Sequence, residues 1–297
     1  MLKIIFLFLF SLFSSISWAS DVPYKIVEMP IVQKKLMTLE KNSDGRLGVF
    51  AWDTGNNQAI TYRANERFPF CSTFKVLAVA AILKQSMQEP TLLQKRIFYT
   101  PQELQAWVYT PISQEHVADG MTVKEICAAT MMYSDNAVNL LMKELGGPQA
   151  ITAFARFIGD KSFQLDRWEP ELNASIPGDI RDTTTPTAMG NDLNVLVLGH
   201  VLSSSQQHQL QYWLKHNTTG NARIRAGVPK DWTVGDKTGT SSEYGTTNDV
   251  AIIWPRHGSP IIMVIYFTQD TKEAKPQDAL IASVAEVVVN AWKDEQK

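Results

Sequence analysis

Cysteine is scarce in this sequence: 297 residues carry only Cys71 and Cys127. Two cannot build a disulfide framework or, alone, a structural zinc site. The five histidines, at 116, 200, 208, 216 and 257, include no HExxH pattern and no carboxylate at metal-ligand spacing, so no metal and no cofactor is expected. Basic residues form no stripe or cluster and the formal net charge is −2, which removes the electrostatic footprint of a nucleic-acid binder. There are no internal repeats and no low-complexity segments. Beyond the N-terminus no apolar run approaches the roughly 20 residues that a membrane span needs.

The N-terminus itself, MLKIIFLFLFSLFSSISWAS, has a lysine at 3, an apolar run from Ile4 to Phe13 and small residues at Ser17 and Ala19. That pattern predicts a signal peptide over 1–19, a mature form without a membrane anchor, and a periplasmic or secreted destination. No cysteine stands near the cleavage point to accept a lipid. The remaining residues, with 44% hydrophobic and 20% charged composition over the whole chain, suit an ordinary globular protein.

EMPIVQKKLMTLEKN has helical periodicity, and RLGVFAWDTGN and QAITYRAN read as strands across a Gly/Asn turn. From Phe68 to about Asn217 the patterns are mostly helical. Strand character returns in WTVGDKTGT, DVAIIWP and IIMVIYFTQ, and DALIASVAEVVVNAWKDE closes the chain as a helix. The predicted fold is α+β: a five-stranded antiparallel sheet with flanking helices, built from 20–67 and 218–297, with an all-helical domain of 68–217 inserted between its halves. Within that insert, 159–184 is long and irregular, with prolines at 170 and 177. It is expected to pack as an Ω-type loop anchored by Leu165, Trp168, Leu172 and Ile176.

Four short motifs carry chemistry. Ser72-Thr73-Phe74-Lys75 opens an almost wholly apolar helix, RFPFCSTFKVLAVAAILKQ. An S-x-x-K alone arises about once by chance in a chain this long, and its bland reading is an N-cap serine with a snorkelling lysine. The helix offers little wet face for that lysine, however, and residues three apart share one side of a helix. A serine beside a desolvated amine and the free N–H groups of a helix start makes a workable acyl-transfer nucleophile. Ser134-Asp135-Asn136 falls at a polar break between helical runs, and Lys237-Thr238-Gly239 lies in a strand, its glycine marking close backbone approach. Glu169-Pro170-Glu171-Leu172-Asn173 lies in the irregular loop. Taken singly, a helix cap, an exposed strand lysine and a solvated loop carboxylate would explain the last three.

Together and in this order, Ser72-x-x-Lys75, Ser134-Asp135-Asn136, Glu169-x-x-x-Asn173 and Lys237-Thr238-Gly239 resemble the motif set of the class A serine β-lactamases, over essentially the whole mature chain. The resemblance implies an exported hydrolase that opens the β-lactam ring of penicillins, with cephalosporins expected too, and confers antibiotic resistance. Its partner would be the small-molecule β-lactam, with no nucleic acid, no membrane anchor and a monomeric state. It further implies Ser72 as nucleophile, Lys75 and Glu169 as the two candidates for its base, and Ser134 as proton relay. Glu169 and Asn173 would hold and activate the hydrolytic water. Asn136 would belong to the substrate-binding set, with Lys237, Thr238, Thr240 and Arg223 around the substrate carboxylate and Tyr109 at the mouth of the cleft. Arg223 stands in for an arginine that many members carry where this chain has Thr247. Arg167 and Asp182 match the ion pair at the neck of the loop.

Two rivals share part of the pattern: a penicillin-binding DD-peptidase, and a β-lactam sensor domain acylated once. Neither accounts for Glu169 with Asn173. The cysteines depart from the family in a definite way. In carbapenem-hydrolysing members Cys71 bridges to a position that is Ser241 here, and the family partner of Cys127 is Val79 here. Two free, buried thiols are therefore expected, and carbapenem hydrolysis is not.

Overall fold

A computed structural model describes residues 24–295. The signal peptide expected over 1–19 lies outside the described residues. Strands β1 (Lys25–Ile26), β2 (Gly45–Asp53), β3 (Gln58–Tyr62), β4 (Phe68–Pro69), β5 (Arg96–Ile97), β6 (Met121–Thr122), β7 (Thr183–Thr184), β8 (Thr233–Thr240), β9 (Thr247–Trp254) and β10 (Ile261–Gln269) alternate with helices α1 (Pro30–Asn42), α2 (Lys75–Ser86), α3 (Pro101–Trp107), α4 (Val123–Met132), α5 (Val138–Leu145), α6 (Pro148–Phe157), α7 (Pro186–Leu193), α8 (Ser204–Lys215) and α9 (Asp278–Glu295). The main sheet has the order β1-β3-β2-β10-β9-β8. Its five long strands are antiparallel to their neighbours, as predicted. The sixth, β1, was not predicted: two residues pair parallel to β3, Lys25 with Gln58 and Ile26 with Ala59. A two-residue strand is too short to leave a periodic trace.

The central strands are apolar at nearly every position because both faces of the sheet are covered. Side chains alternate across a strand. Leu47, Val49 and Ala51 of β2, and Met263, Ile265 and Phe267 of β10, face one core with Leu36 of α1 and Ile281, Val284 and Val288 of α9. Phe50 and Trp52 of β2, and Ile262, Val264 and Tyr266 of β10, face the other core with the helices of the insert. Helix α1 earns its place through Val32, Leu36 and Glu40, which recur at one-turn spacing and are buried. Helix α2 runs through the middle of the second core, against α4, α5, α6 and α8. Its residues Lys75 to Leu83 are all buried, which explains a sequence with no polar face.

The loop over 159–184 is packed, with Leu165 and Leu172 buried and Trp168 against the core. Ile176 does not anchor it: that side chain is 46% exposed. Instead the loop is closed by backbone pairing, β7 on β4 and Gln164 opposite Thr183, which no local sequence pattern announces. The helical run after Pro186 is also shorter than its periodicity suggests, widening into a π-type turn over Asn194–Leu198.

Helix α7 sits close on the sheet because Gly190 has no side chain: a Cβ there would lie 2.3 Å from Phe50 Cδ1. Gly190→Ala is expected to lower the unfolding free energy by about 1–3 kcal/mol through overpacking, read from urea unfolding at constant slope.

Candidate active site

Ser72 sits in the 3₁₀ turn Cys71–Phe74 that leads into α2, next to the first-turn N–H groups that a helix leaves unpaired. Cys71, just before it, has φ of 46° and Ser134 has φ of 60°. A left-handed conformation costs a non-glycine residue about 1–2 kcal/mol, and strain of this kind gathers at functional sites.

Lys75 Nζ lies one helical turn on, fully buried. It donates to the backbone oxygen of Ser134 at 2.8 Å and to Asn136 Oδ1 at 2.7 Å, and pairs with Glu169 Oε1 at 3.1 Å with neither side chain exposed. Burial pushes the amine below the ordinary lysine range, and the negative charge of Glu169 opposes that push. Ser72 Oγ donates to the same Glu169 oxygen at 3.3 Å. Asn173 Nδ2 donates to the other, Oε2, at 2.5 Å, and Asn173 Oδ1 is buried without a partner among the described residues. The backbone of Glu169 is fixed by Asn139, whose amide donates to the Glu169 carbonyl at 2.9 Å and accepts from its N–H at 3.1 Å.

Lys237 is also fully buried and donates to Ser134 Oγ at 2.9 Å and to the Thr238 carbonyl at 2.8 Å. Burial lowers its amine well below the usual range, and the positive charge of Lys75 lowers it further. Asp135 is the strut of the Ser-Asp-Asn corner. Buried, it accepts from the N–H groups of Ile112, Ser113 and Ala137 and from Ser113 Oγ, all at 2.8–2.9 Å. Asn136 in turn donates to the Trp107 carbonyl at 2.8 Å and its N–H to that of Tyr109 at 2.9 Å, which sets the segment bearing the half-exposed Tyr109 ring.

Arg223 is nearly buried and heavily engaged. It donates to Asp278 Oδ1 at 2.8 Å, to the carbonyls of Gly239 and Asn248 at 3.0 and 2.7 Å, and to Thr240 Oγ1 at 2.6 Å. At the neck of the loop, Arg167 Nε pairs with Asp182 Oδ2 at 2.5 Å, while Asp182 Oδ1 accepts the N–H groups of Asp166 and Arg167.

Ser72, Tyr109, Ser134, Asn136, Asn173, Arg223, Thr238 and Thr240 thus line one cleft of about 330 Å³, with Lys75, Glu169 and Lys237 bonded to its lining from behind. Three contributors escaped the sequence reading. Thr219 lines the cleft and bonds Thr238 Oγ1 at 2.6 Å. Asn139 clamps Glu169, and its only sequence trace is a polar residue one turn after Asn136 in an apolar helix. Asp278 holds Arg223 from a helix start 55 residues away.

Comparison with known proteins shows the family. Residues 31–292 match the model of the "Beta-lactamase enzyme family". Beta-lactamase CTX-M-97 of Escherichia coli is 52% identical over 88% of this chain and 89% of its own, and a beta-lactamase of Proteus vulgaris 51% identical over 89% and 96%. The crystal structure of a beta-lactamase from Desulfarculus baarsii superposes with a TM-score of 0.87 at 48% identity, covering 90% of this chain and 98% of that one.

Neither thiol is bonded and both are buried; Cys71 Sγ lies 3.6 Å from Ser175 Oγ, and burial pushes its thiol up to about 12. Alkylating reagent at neutral pH should modify neither cysteine in the native protein and both after denaturation without reductant, counted by intact mass; a native protein that consumes one equivalent rapidly would contradict this burial.

Proposed function

Because the chain belongs to the class A serine β-lactamases and is a β-lactam hydrolase, we propose that it works through a serine acyl-enzyme released by a water that Glu169 activates. The observation that carries this reading is the shared carboxylate: one Glu169 oxygen receives the Ser72 hydroxyl at 3.3 Å while the other is held by Asn173. Ser72 Oγ attacks the lactam carbonyl and its proton passes to Glu169. The alternative base, Lys75, already donates to Ser134, Asn136 and Glu169, so it is better placed to hold the carboxylate than to accept. The N–H groups of Ser72 and Thr240 would receive the developing oxyanion, a contribution of about 10²–10³ in rate per donor.

Ser134, held by Lys237, gives a proton to the ring nitrogen as the C–N bond breaks. Its own proton is restored through the buried lysines and Glu169. In the second step water attacks the ester carbon, Glu169 takes its proton, and Ser72 Oγ leaves and is reprotonated. The buried, unpartnered Asn173 Oδ1 supports this step, since it offers that water an acceptor. The carboxylate of a penicillin or cephalosporin would be met by Thr238, Thr240, Lys237 and Arg223, with Tyr109 at the rim and Asn136 on the flank. The protein would act as a monomer, exported to the periplasm or secreted after loss of 1–19. Its α/β unit of 20–67 and 218–297 would meet the helical unit of 68–217 at this cleft. Among the described residues no helix is long and apolar enough to cross a membrane.

Glu169→Ala should slow deacylation by about 10²–10⁴. It also removes the negative charge that opposes deprotonation of the buried Lys75 amine, leaving that amine to take the Ser72 proton, so a penicillin would still give a stoichiometric burst and a stable mass adduct. Undiminished steady turnover would reject Glu169 as the activating base.

A further inference from the structure

A second pair of acids lies outside the cleft, one at each flank of the loop that carries Glu169. Asp160 stands at the loop's start and Asp192 on α7, just past its end; they are 7% and 2% exposed. Asp160 Oδ1 is fully used, accepting the N–H groups of Ser162 at 2.5 Å and Phe163 at 3.0 Å. Asp160 Oδ2 and Asp192 Oδ2 are both buried and find no donor among the described residues. Each carboxyl nonetheless has the other for a neighbour: Asp160 acts on Asp192 through its charge and as a side-chain hydrogen-bond partner. Two ionised acids in that position would repel one another and leave both oxygens orphaned, each with its desolvation uncompensated. One proton between them repairs both faults.

From the geometry of this pair we infer that Asp192 is a positioning residue for Glu169: as a neutral acid it donates to Asp160 and ties the start of loop 159–184 to the helix beyond its end. The tie reaches the nucleophile through packing. Asp160 holds the backbone of Phe163, whose ring stacks on Phe70 at 4.8 Å and 9°, two residues before Ser72. Phe70 N–H in turn donates to the carbonyl of Asp182 at 3.2 Å, at the neck of the same loop.

The charged and titratable groups around the pair are few. Arg156 of α6 donates to the Asp160 carbonyl at 2.7 Å and its charge favours ionisation. Tyr266 of β10 is buried nearby and feels both acids, with its hydroxyl bonded to Thr73 Oγ1 at 3.1 Å. Burial foremost, then the charge of Asp160, holds Asp192 protonated well above the usual carboxyl range. Its proton is bound more tightly in the folded chain than in the unfolded one, so stability falls as pH rises above the ordinary carboxyl range of about 4. The loss approaches tenfold in the folding constant per pH unit until the proton leaves.

The consequence for deacylation rests on the role proposed for Glu169; the consequence for stability does not, so the two can fail separately. The test uses the mature protein with three substitutions. Asp192→Asn keeps a donor toward Asp160 but cannot titrate, Asp160→Asn supplies the donor from the other side, and Asp192→Ala supplies none. Folding constants from urea unfolding, followed upward from about pH 4 where the unfolded carboxyl titrates, should fall one proton less steeply in both Asn variants than in the parent. Single-turnover kinetics with a penicillin should show Asp192→Ala deacylating at least about tenfold more slowly than Asp192→Asn at neutral pH, with smaller change in acylation.

Parallel pH–stability curves for the parent and the Asn variants would overturn the shared proton. Equal deacylation by Asp192→Ala and Asp192→Asn would overturn the positioning role. So would an Asp192→Asn variant that fails to fold where Asp192→Ala folds, because an amide donor should serve in place of the acid.

Discussion

Lys75 and Glu169 meet at 3.1 Å in a place that solvent does not reach, and most of the surrounding architecture follows from that contact. Taking two ions out of water costs several kcal/mol each. The pair persists because its hydrogen-bonding capacity is consumed: three acceptors around the amine and three donors, Lys75, Ser72 and Asn173, on the carboxylate. Each partner comes from a different part of the chain, so the contact can form only when α2, the turn before α5 and the loop over 159–184 are all in register. Losing either ion leaves the other buried and unpaired, which typically costs 3–5 kcal/mol.

Such a contact needs rigid supports, and they are polar. Asp135 collects four hydrogen bonds to fix the corner before α5. Asn139 grips the Glu169 backbone at both its N–H and its carbonyl. Asp182 gathers two backbone N–H groups and a guanidinium at the loop's neck. All three place a short acceptor or amide against backbone groups that no helix or strand satisfies. The loop thereby buries its irregular backbone without orphaning it, and its few apolar anchors, Leu165, Leu172 and Trp168, suffice.

That division explains what the sequence could reveal. Doubly covered strands and the apolar α2 leave composition signatures, so the sheet, its antiparallel order and the helical insert were legible. The four motifs stood out because each sets polar groups a fixed number of residues apart, and the fold brings residues of all four to one cleft. Contacts between distant segments left little trace. Asp278 reaches Arg223, β7 closes on β4, and Asn139 holds Glu169 across 30 residues, in patterns that a local window reads as a helix start, a loop and a helix interior. Ile176 misled for the same reason: an apolar residue in a loop implies an anchor only if something apolar lies opposite.

The cations explain a further property of the cleft. Neither buried lysine lines the cleft, and Arg223 divides its N–H groups among Asp278, two carbonyls and Thr240. An anionic substrate would therefore meet hydroxyl groups first. Ser134 Oγ accepts from Lys237 and Thr240 Oγ1 accepts from Arg223, so each hydroxyl has an acceptor site filled by a cation behind it and keeps its own proton for the cleft. A hydroxyl polarised in this way is a stronger donor than one left in water, and it adds no mobile charge to the rim. Recognition of the carboxylate would then depend on how firmly the two cations are held, which ties binding back to the depth at which Lys237 and Arg223 are buried.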